Sequence, residues 1–168
     1  MPMPIHLKLK GTKSGEIKGS CTQKGREGSI LVYGFSHEIV SPRDIASGLP
    51  TGKRQHKPIK ILKEIDKASP ILYQVLTNNE NLTEVHFEFW KPSTARLGGG
   101  GGTEVMYYKI DLVNANISSM RTFFDNALVA ENAKLPHLEE VTFTYQKITW
   151  TWTDGGITGE DDWEAPSA

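Results

Sequence analysis

The 168-residue sequence contains a single cysteine, Cys21. One thiol cannot form an intrachain disulfide or supply a thiolate-based zinc site. Charge of one sign is not in excess either, since 19 basic and 20 acidic residues leave a formal net charge of −1. A protein that neutralises nucleic-acid phosphates carries a net basic footprint, so the balance argues against a nucleic-acid partner. Long apolar runs are missing. The longest, Ile30-Leu31-Val32-Tyr33, is far too short to cross a bilayer, and no membrane insertion is expected. The N-terminal MPMPIHLKLKGTK alternates polar and apolar residues and has no continuous apolar core, so it does not read as a signal peptide.

Catalytic signatures are also lacking. There is no GxSxG motif and no Cys–His family signature. The glycine run Gly98–Gly102 is not followed by Lys-Ser/Thr and leads into a strand-like segment, which disfavours a phosphate loop. Glu16, Asp66 and Asp111 are isolated in sequence and form no paired-carboxylate signature, although folding could unite them. His6, His37, His56 and His137 lie in separate segments without HxH or HxxxH spacing. His86 stands between Glu84 and Glu88 at i±2, on one strand face. That trio could bind a metal or move protons, but charge pairing on a wet strand face is the commoner use. No catalytic residue, metal or cofactor is implied, and an enzyme is disfavoured.

What is present is a β-rich pattern around one helix. The length suits a single domain spanning 1–168. Within Glu64–Asn79, Ser69 is placed to N-cap a helix with Pro70 at its first position. Ile71, Leu72, Val75 and Leu76 then share one face, and Asn78-Asn79 can stop it. A helix this short is marginal in water, so it must be clamped against a sheet. Strand alternation appears at Ile5–Leu9, with further strands at Ser29–His37, at Leu82–Trp90 with Val85, Phe87 and Phe89 inward, and from Met106 to about Arg121. A short strand is expected around Gly19–Thr22. Ile59, Ile61 and Ile65 share a face on which Lys63 is the irregularity. Thr122–His137 is irregular, and Phe123, Phe124, Leu128 and Leu135 are expected to cover a core edge. In the last long strand Val141, Phe143 and Tyr145 are odd-numbered whereas Ile148, Trp150 and Trp152 are even. One apolar face survives only if the ladder is interrupted near Gln146-Lys147, read as a β-bulge that turns both Tyr145 and Ile148 inward. The tail from about 154 to 168 is turn-like and acidic, with Trp163 as a docking residue.

Between two good strands lies Glu38–His56, with two prolines, two glycines and no sustained period. Such a segment is either a surface loop or an arm that orders against a neighbouring protein, and length alone does not decide between them.

With these pieces in place the chain resembles the haemolysin-coregulated protein (Hcp) family, the tube subunits of bacterial type VI secretion. The resemblance rests on GREGSILVYGFSHEIV (25–40), TGKRQHKPIKILKEIDKASPILYQVL (51–76), EVHFEFWK (84–91) and LEEVTFTYQKITWTWTDGG (138–156). Its most specific part is the set His56, Pro58, Ile59, Lys63, Asp66, Ser69, Pro70, Leu72 and Tyr73. The resemblance implies a mainly β fold, a small closed or nearly closed β-barrel of two sheets with a short helix at its side and a long extended loop. It implies hexameric rings that stack into a hollow tube, made in the bacterial cytoplasm and then secreted. The spike protein at the tube tip, the contractile sheath and small effectors held in the channel would be its partners. The glycine run looks longer than a typical family hairpin, and with no further domain after the tail the chain reads as a plain tube subunit. The arm at 38–56 is then the contact between subunits and stacked rings, with Ser41, Pro42, Arg43, Asp44, Thr51, Gly52, Lys53, Arg54 and His56 as its interface residues. Charges of both signs there imply a polar, salt-sensitive contact. The competing reading is a monomeric β-barrel that binds carbohydrate by stacking on Trp90, Trp150, Trp152 and Trp163.

Overall fold

The computed structural model describes residues 3–93 and 103–163, so the glycine run Gly98–Gly102 lies outside the described residues. The strands are β1 (Ile5–Gly11), β2 (Gly15–Ile17), β3 (Ile30–Ser36), β4 (Ile39–Val40), β5 (Gln55–His56), β6 (Ile59–Glu64), β7 (Leu82–Pro92), β8 (Glu104–Phe123), β9 (Leu138–Thr144), β10 (Lys147–Trp152) and β11 (Ile157–Asp162). One helix, α1 (Ser69–Thr77), joins β6 to β7, and a single 3-10 turn spans Ala130–Asn132.

Every pairing is antiparallel, and the nine-stranded main sheet closes on itself. Its path runs β11-β10-β8-β7-β1-β3-β6-β9, and β9 pairs back onto β8. Six strands therefore form a barrel, while β10 and β11 extend from the first half of β8. Closure removes most of the exposed edge that a single long sheet would present. The second sheet is the small ladder β4–β5. The barrel interior is apolar, with Leu7, Leu9, Ile30, Val32, Ile59, Ile61, Val85, Phe87, Leu112, Val141 and Phe143 all buried. Phe87 meets Phe35 and Phe143 edge to face, the arrangement favoured by aromatic quadrupoles.

The expected interruption of the last strand is present. Tyr145 and Ile148 are both buried, and Gln146 separates β9 from β10. Its geometry differs from an extra residue in one strand. The pairs Asn116↔Thr144 and Val113↔Lys147 keep one register across the break. Both strands kink together: Leu112 and Ala115 are buried around exposed Val113 and Asn114, and Asn114 takes φ 50°. In β7, Leu82 and Val85 are likewise buried on either side of Thr83 and Glu84. A fold line thus crosses three neighbouring strands, and the Asn114 side chain donates to Gln146 Oε1 across it (2.8 Å). Asn tolerates the left-handed conformation because its short polar side chain bonds locally.

The helix packs as expected, with Leu72 and Val75 buried and Gln74 exposed. Its start differs. Ser69 does not cap α1; the turn before it is held by Asp66, whose carboxylate accepts the Ala68 N–H (3.0 Å) and whose carbonyl accepts the Ser69 N–H (3.1 Å). The Ser69 hydroxyl is drawn inward instead, accepting from Lys63 Nζ (3.1 Å) and donating to Glu139 Oε1 (2.5 Å). Lys63 and Glu139 are both buried and form an ion pair on the barrel side of β6 and β9. Lys63 shares the inward face with Ile59 and Ile61, as expected, whereas Ile65, just past the strand end, is exposed. Asn79, at φ 49°, ends the helical segment.

Three further expectations fail. The short strand lies at Gly15–Ile17 rather than Gly19–Thr22, because β1 turns back on itself through Gly15 at φ 65°. Phe124, Leu128 and Leu135 are exposed and cover no core edge. The tail is a strand, β11, joined to β10 by a turn through Gly155 and Gly156, both with positive φ.

Candidate functional site

The arm at 38–56 is an ordered hairpin. Ile39↔His56 and Val40↔Gln55 pair at its base, and Lys57 N–H reaches the Glu38 carbonyl (3.1 Å). Further out, Thr51 N–H bonds the Pro42 carbonyl (3.0 Å) and Arg43 bridges Pro50. At the tip, Asp44 N–H donates to the Leu49 carbonyl (2.9 Å), and the Asp44 carboxylate accepts the Ser47 N–H (2.9 Å) and hydroxyl (2.6 Å). Those donors hold the Asp44 carboxyl below its ordinary value. Gly48, at φ 72°, lets the tip turn close.

The sequence hides this ladder because a hairpin exposed on both faces has no core to impose a period of two. Ser41, Arg43, Asp44, Thr51, Gly52 and Lys53 are exposed, and Pro42 is half-buried. Arg54 and His56 are committed inside the chain. Arg54 Nε donates to Asp161 Oδ2 (2.6 Å) and its Nη2 to the Asp162 carbonyl (2.8 Å). His56 Nε2 lies 2.6 Å from Asp161 Oδ2, and its Nδ1 lies 2.7 Å from the Tyr145 hydroxyl. The Trp163 ring sits 5.6 Å from that of His56, which makes it the docking residue expected of the tail. The Arg54 hydrogen bond holds the Asp161 carboxyl below its usual range against the opposing effect of burial, with a lesser contribution from His56. Burial, then the Asp161 charge, push the Tyr145 phenol above its ordinary value. The arm is thus clasped at its root by the tail strand. Asp161 and Tyr145 were not singled out as site residues from sequence; the available signal was Asp154-Gly155-Gly156, a strong hairpin turn that makes the tail a strand.

The other sequence candidates have local roles. His86 Nδ1 lies 2.6 Å from Asp111 Oδ1 on the neighbouring strand and its Nε2 3.5 Å from Glu84. The Asp111 hydrogen bond raises its pKa against burial. Glu88 turns to Lys8 instead (3.4 Å), so the trio divides into two cross-strand pairs. Among the described residues no group of three or more His, Cys, Asp or Glu is placed to hold a metal. His6 is buried under the 18–29 loop, with Nδ1 2.8 Å from the Ser29 hydroxyl and Nε2 3.3 Å from Arg26. Arg26 is held by Glu104 (2.6 Å) and stacks 4.2 Å above the Trp90 ring. The tryptophans do not make a shared platform. Trp90 is covered by Arg26, Trp150 packs against the core, Trp163 meets His56, and Trp152 is the exposed one of the strand tryptophans.

A family model described as "Type VI secretion system effector, Hcp" matches residues 6–152. The chain belongs to the Hcp family. It is 41% identical to the "Major exported protein" of Pseudomonas aeruginosa, over all of this chain and 99% of that one. The structure of the Hcp1 protein from E. coli EAEC 042 pathovar is 36% identical, with 96% of this chain and 99% of that chain covered and a TM-score of 0.81. The secreted protein Hcp3 from Pseudomonas aeruginosa is 34% identical, with 97% and 99% covered and a TM-score of 0.76. As an Hcp protein the chain is a tube subunit of type VI secretion. No helix among its described residues is long and apolar enough to cross a membrane.

Proposed function

We propose that this Hcp chain assembles into hexameric rings, that the rings stack into a hollow tube, and that the 38–56 arm makes the contacts between subunits and rings. The observation that carries this reading is the arm itself. A two-stranded hairpin is tied at its root to Asp161, and its outer half, Arg43–Thr51, is exposed along its whole length. A strand edge and an exposed tip of this kind gain stability from a second molecule. The partner patches are heterologous, so repetition closes a ring or extends a stack according to the rotation between copies. The chain acts without catalysis: its titratable clusters are ion pairs and hydrogen-bond anchors for strands and turns. By family resemblance the spike protein, the contractile sheath and small effectors carried in the channel are its further partners, and the assembly leaves the cell through the type VI apparatus.

Deleting Ser41–Gly52 tests this. The deleted chain is expected to keep its barrel, by circular dichroism and thermal melting, and to lose stacking and export. A deleted chain that stacks and is exported as well as the intact one would make the arm an ordinary loop. An intact chain that sediments as a monomer at every concentration would remove the tube reading and favour the binding module.

A further inference from the structure

We infer that His6 is the peg that holds the 18–29 loop shut over Cys21, and that a proton taken up by His6 releases the loop while the barrel stays folded. Release concerns a single chain and does not depend on how copies assemble. Leu7 and Leu9 of β1 face the barrel interior, so His6 projects from the opposite face, yet the loop leaves it 0% exposed. No helix or strand lies within 18–29. Apart from Gly19, the buried residues of the loop are Cys21, Arg26 and Ser29. All three reach His6: the Ser29 hydroxyl lies 2.8 Å and Cys21 Sγ 3.8 Å from Nδ1, and Arg26 Nη1 lies 3.3 Å from Nε2. The backbone bonds of the loop run within it, from Gly19 N–H to the Gly28 carbonyl (2.8 Å) and from Gly28 N–H to the Cys21 carbonyl (2.9 Å), so they can travel with it.

Hydrogen-bond directions fix the form of the imidazole that fits. The Ser29 hydroxyl donates to the Arg26 carbonyl (2.8 Å), so it accepts from His6, and Nδ1 carries the hydrogen. Nε2 is then the bare nitrogen that accepts from Arg26 Nη1. A second proton has only Nε2 to go to. There it sets N–H against N–H, and one positive charge against another, in a buried site. The neighbouring carboxylates are engaged elsewhere: Glu104 of β8 holds Arg26 (2.6 Å), and Glu88 of β7 faces Lys8 of β1 (3.4 Å). Burial, then Arg26, push the His6 pKa from 6.5 down to about 4; Glu88 and Glu104 oppose this and Lys8 adds to it. With the loop open, His6 regains its ordinary value, so acid favours opening. The open population is expected to rise roughly 30-fold between pH 7.5 and pH 5, and on the order of 100-fold by pH 4. In an exported chain such a loop opens one surface, and one thiol, to acidic surroundings without loss of the barrel.

Cys21, the single thiol and 8% exposed, provides the readout. Its sulfur displaces thiopyridone from dithiodipyridine, and the rate is followed by absorbance in the folded chain and in the urea-unfolded chain at each pH. The ratio of the two rates reports the open population when closing outruns labelling. The protein concentration is one at which sedimentation shows the same assembly state throughout. The ratio is expected to start rising near pH 6.5 and to gain roughly 30-fold by pH 5 with circular dichroism unchanged. His6→Asn and His6→Gln, which do not titrate, should abolish the rise. A ratio independent of pH in the unaltered chain would overturn the peg, and so would a rise that sets in only below pH 5, the range of carboxylates. A rise that coincides with loss of circular dichroism would replace local release by general unfolding. A rise that persists in both variants would move the trigger to another group, such as Glu64 or Asp66 on the wall of the cavity of about 210 Å³ that Cys21 lines. Should neither variant fold, the pH at which the unaltered chain begins to open still decides between imidazole and carboxylate.

Discussion

Two polar clusters in this molecule use nearly the same chemistry in different surroundings. At one end of the barrel, Lys63, Glu139 and Ser69 form an ion pair and its hydrogen bonds in a fully buried site. At the root of the arm, Arg54, His56 and Asp161 form another, with Asp161 partly open to water. In the dry cluster the charges depend on one another, Lys63 pairing with Asp66 as well as Glu139, because neither Lys63 nor Glu139 has water to fall back on. In the wetter one, solvent can replace a lost partner, so little stability is at stake and the arrangement governs where the arm points. The lesson is that burial, rather than the number of hydrogen bonds, separates a cluster the fold needs from one that positions a surface hairpin.

The contrast is tested most severely by breaking the dry pair. Lys63→Ala or Glu139→Ala is expected to cost about 3–5 kcal/mol in urea denaturation, since the first leaves the buried Glu139 carboxylate without its cation and the second leaves buried Lys63 with Asp66 as its one carboxylate partner. Replacing both, Lys63→Met with Glu139→Leu, should recover most of that loss. A double variant as unstable as the singles would show that the pair stabilises the barrel rather than merely satisfying itself. The helix resting above this cluster gives the next effect. Leu72→Ala should cost about 2–5 kcal/mol as a core truncation, whereas exposed Gln74→Ala should cost less than about 0.5 kcal/mol. Equal costs would mean that the helix faces the barrel differently.

A third measurement uses pH and a third polar site, His6. Burial, then the Arg26 charge, push its pKa down from 6.5 to about 4. The folded chain therefore refuses a proton that the unfolded chain accepts. Stability should be unaffected by His6 above pH 6.5, fall as pH drops from 6.5 toward 4, and level off below, with a total loss on the order of 3 kcal/mol. Denaturant midpoints across that range check it, and a flat profile would place His6 in contact with water. The smallest stability effect belongs to the clasp. Asp161→Asn should cost less than about 1 kcal/mol, yet proteolysis within the arm should become faster and self-association weaker. Because Asp161 titrates below the usual carboxylate range, its contribution is present above that range and is lost only as pH falls through the lowered value. An arm equally protected in Asp161→Asn would make the clasp incidental.

How much of this was legible can be judged from particular residues. Leu72, Val75, Val85, Phe87 and Phe143 declared themselves through period, because one-sided burial leaves its mark on every second or every third and fourth residue. The break at Gln146 was legible through a parity conflict, although it proved to be a fold line shared by three strands. Ser69 and Ile65 were misread, and Lys63 was placed on the right face without its partner. A lysine in an apolar row looks like an error until a carboxylate from a strand about seventy residues away faces it, and a serine before Pro70 looks like a cap until that carboxylate takes its hydroxyl. Phe124, Leu128 and Leu135 look like core residues in any list, but Leu135 here borders a hollow that its own chain does not fill.

What the sequence determined alone was the set of local choices: which segments alternate, where the helix runs, and which side chains must avoid water. Steric and hydrophobic preferences acting within a few residues suffice for that. Its long motifs also carried the family. The tertiary structure decided the pairings between distant segments. β9 closes on β8, Asp161 reaches Arg54 and His56 across more than a hundred residues, and the patternless stretch after β3 becomes a hairpin. Such contacts depend on bringing remote groups into one low-dielectric or sterically confined place, and no local window of sequence records which remote group will arrive.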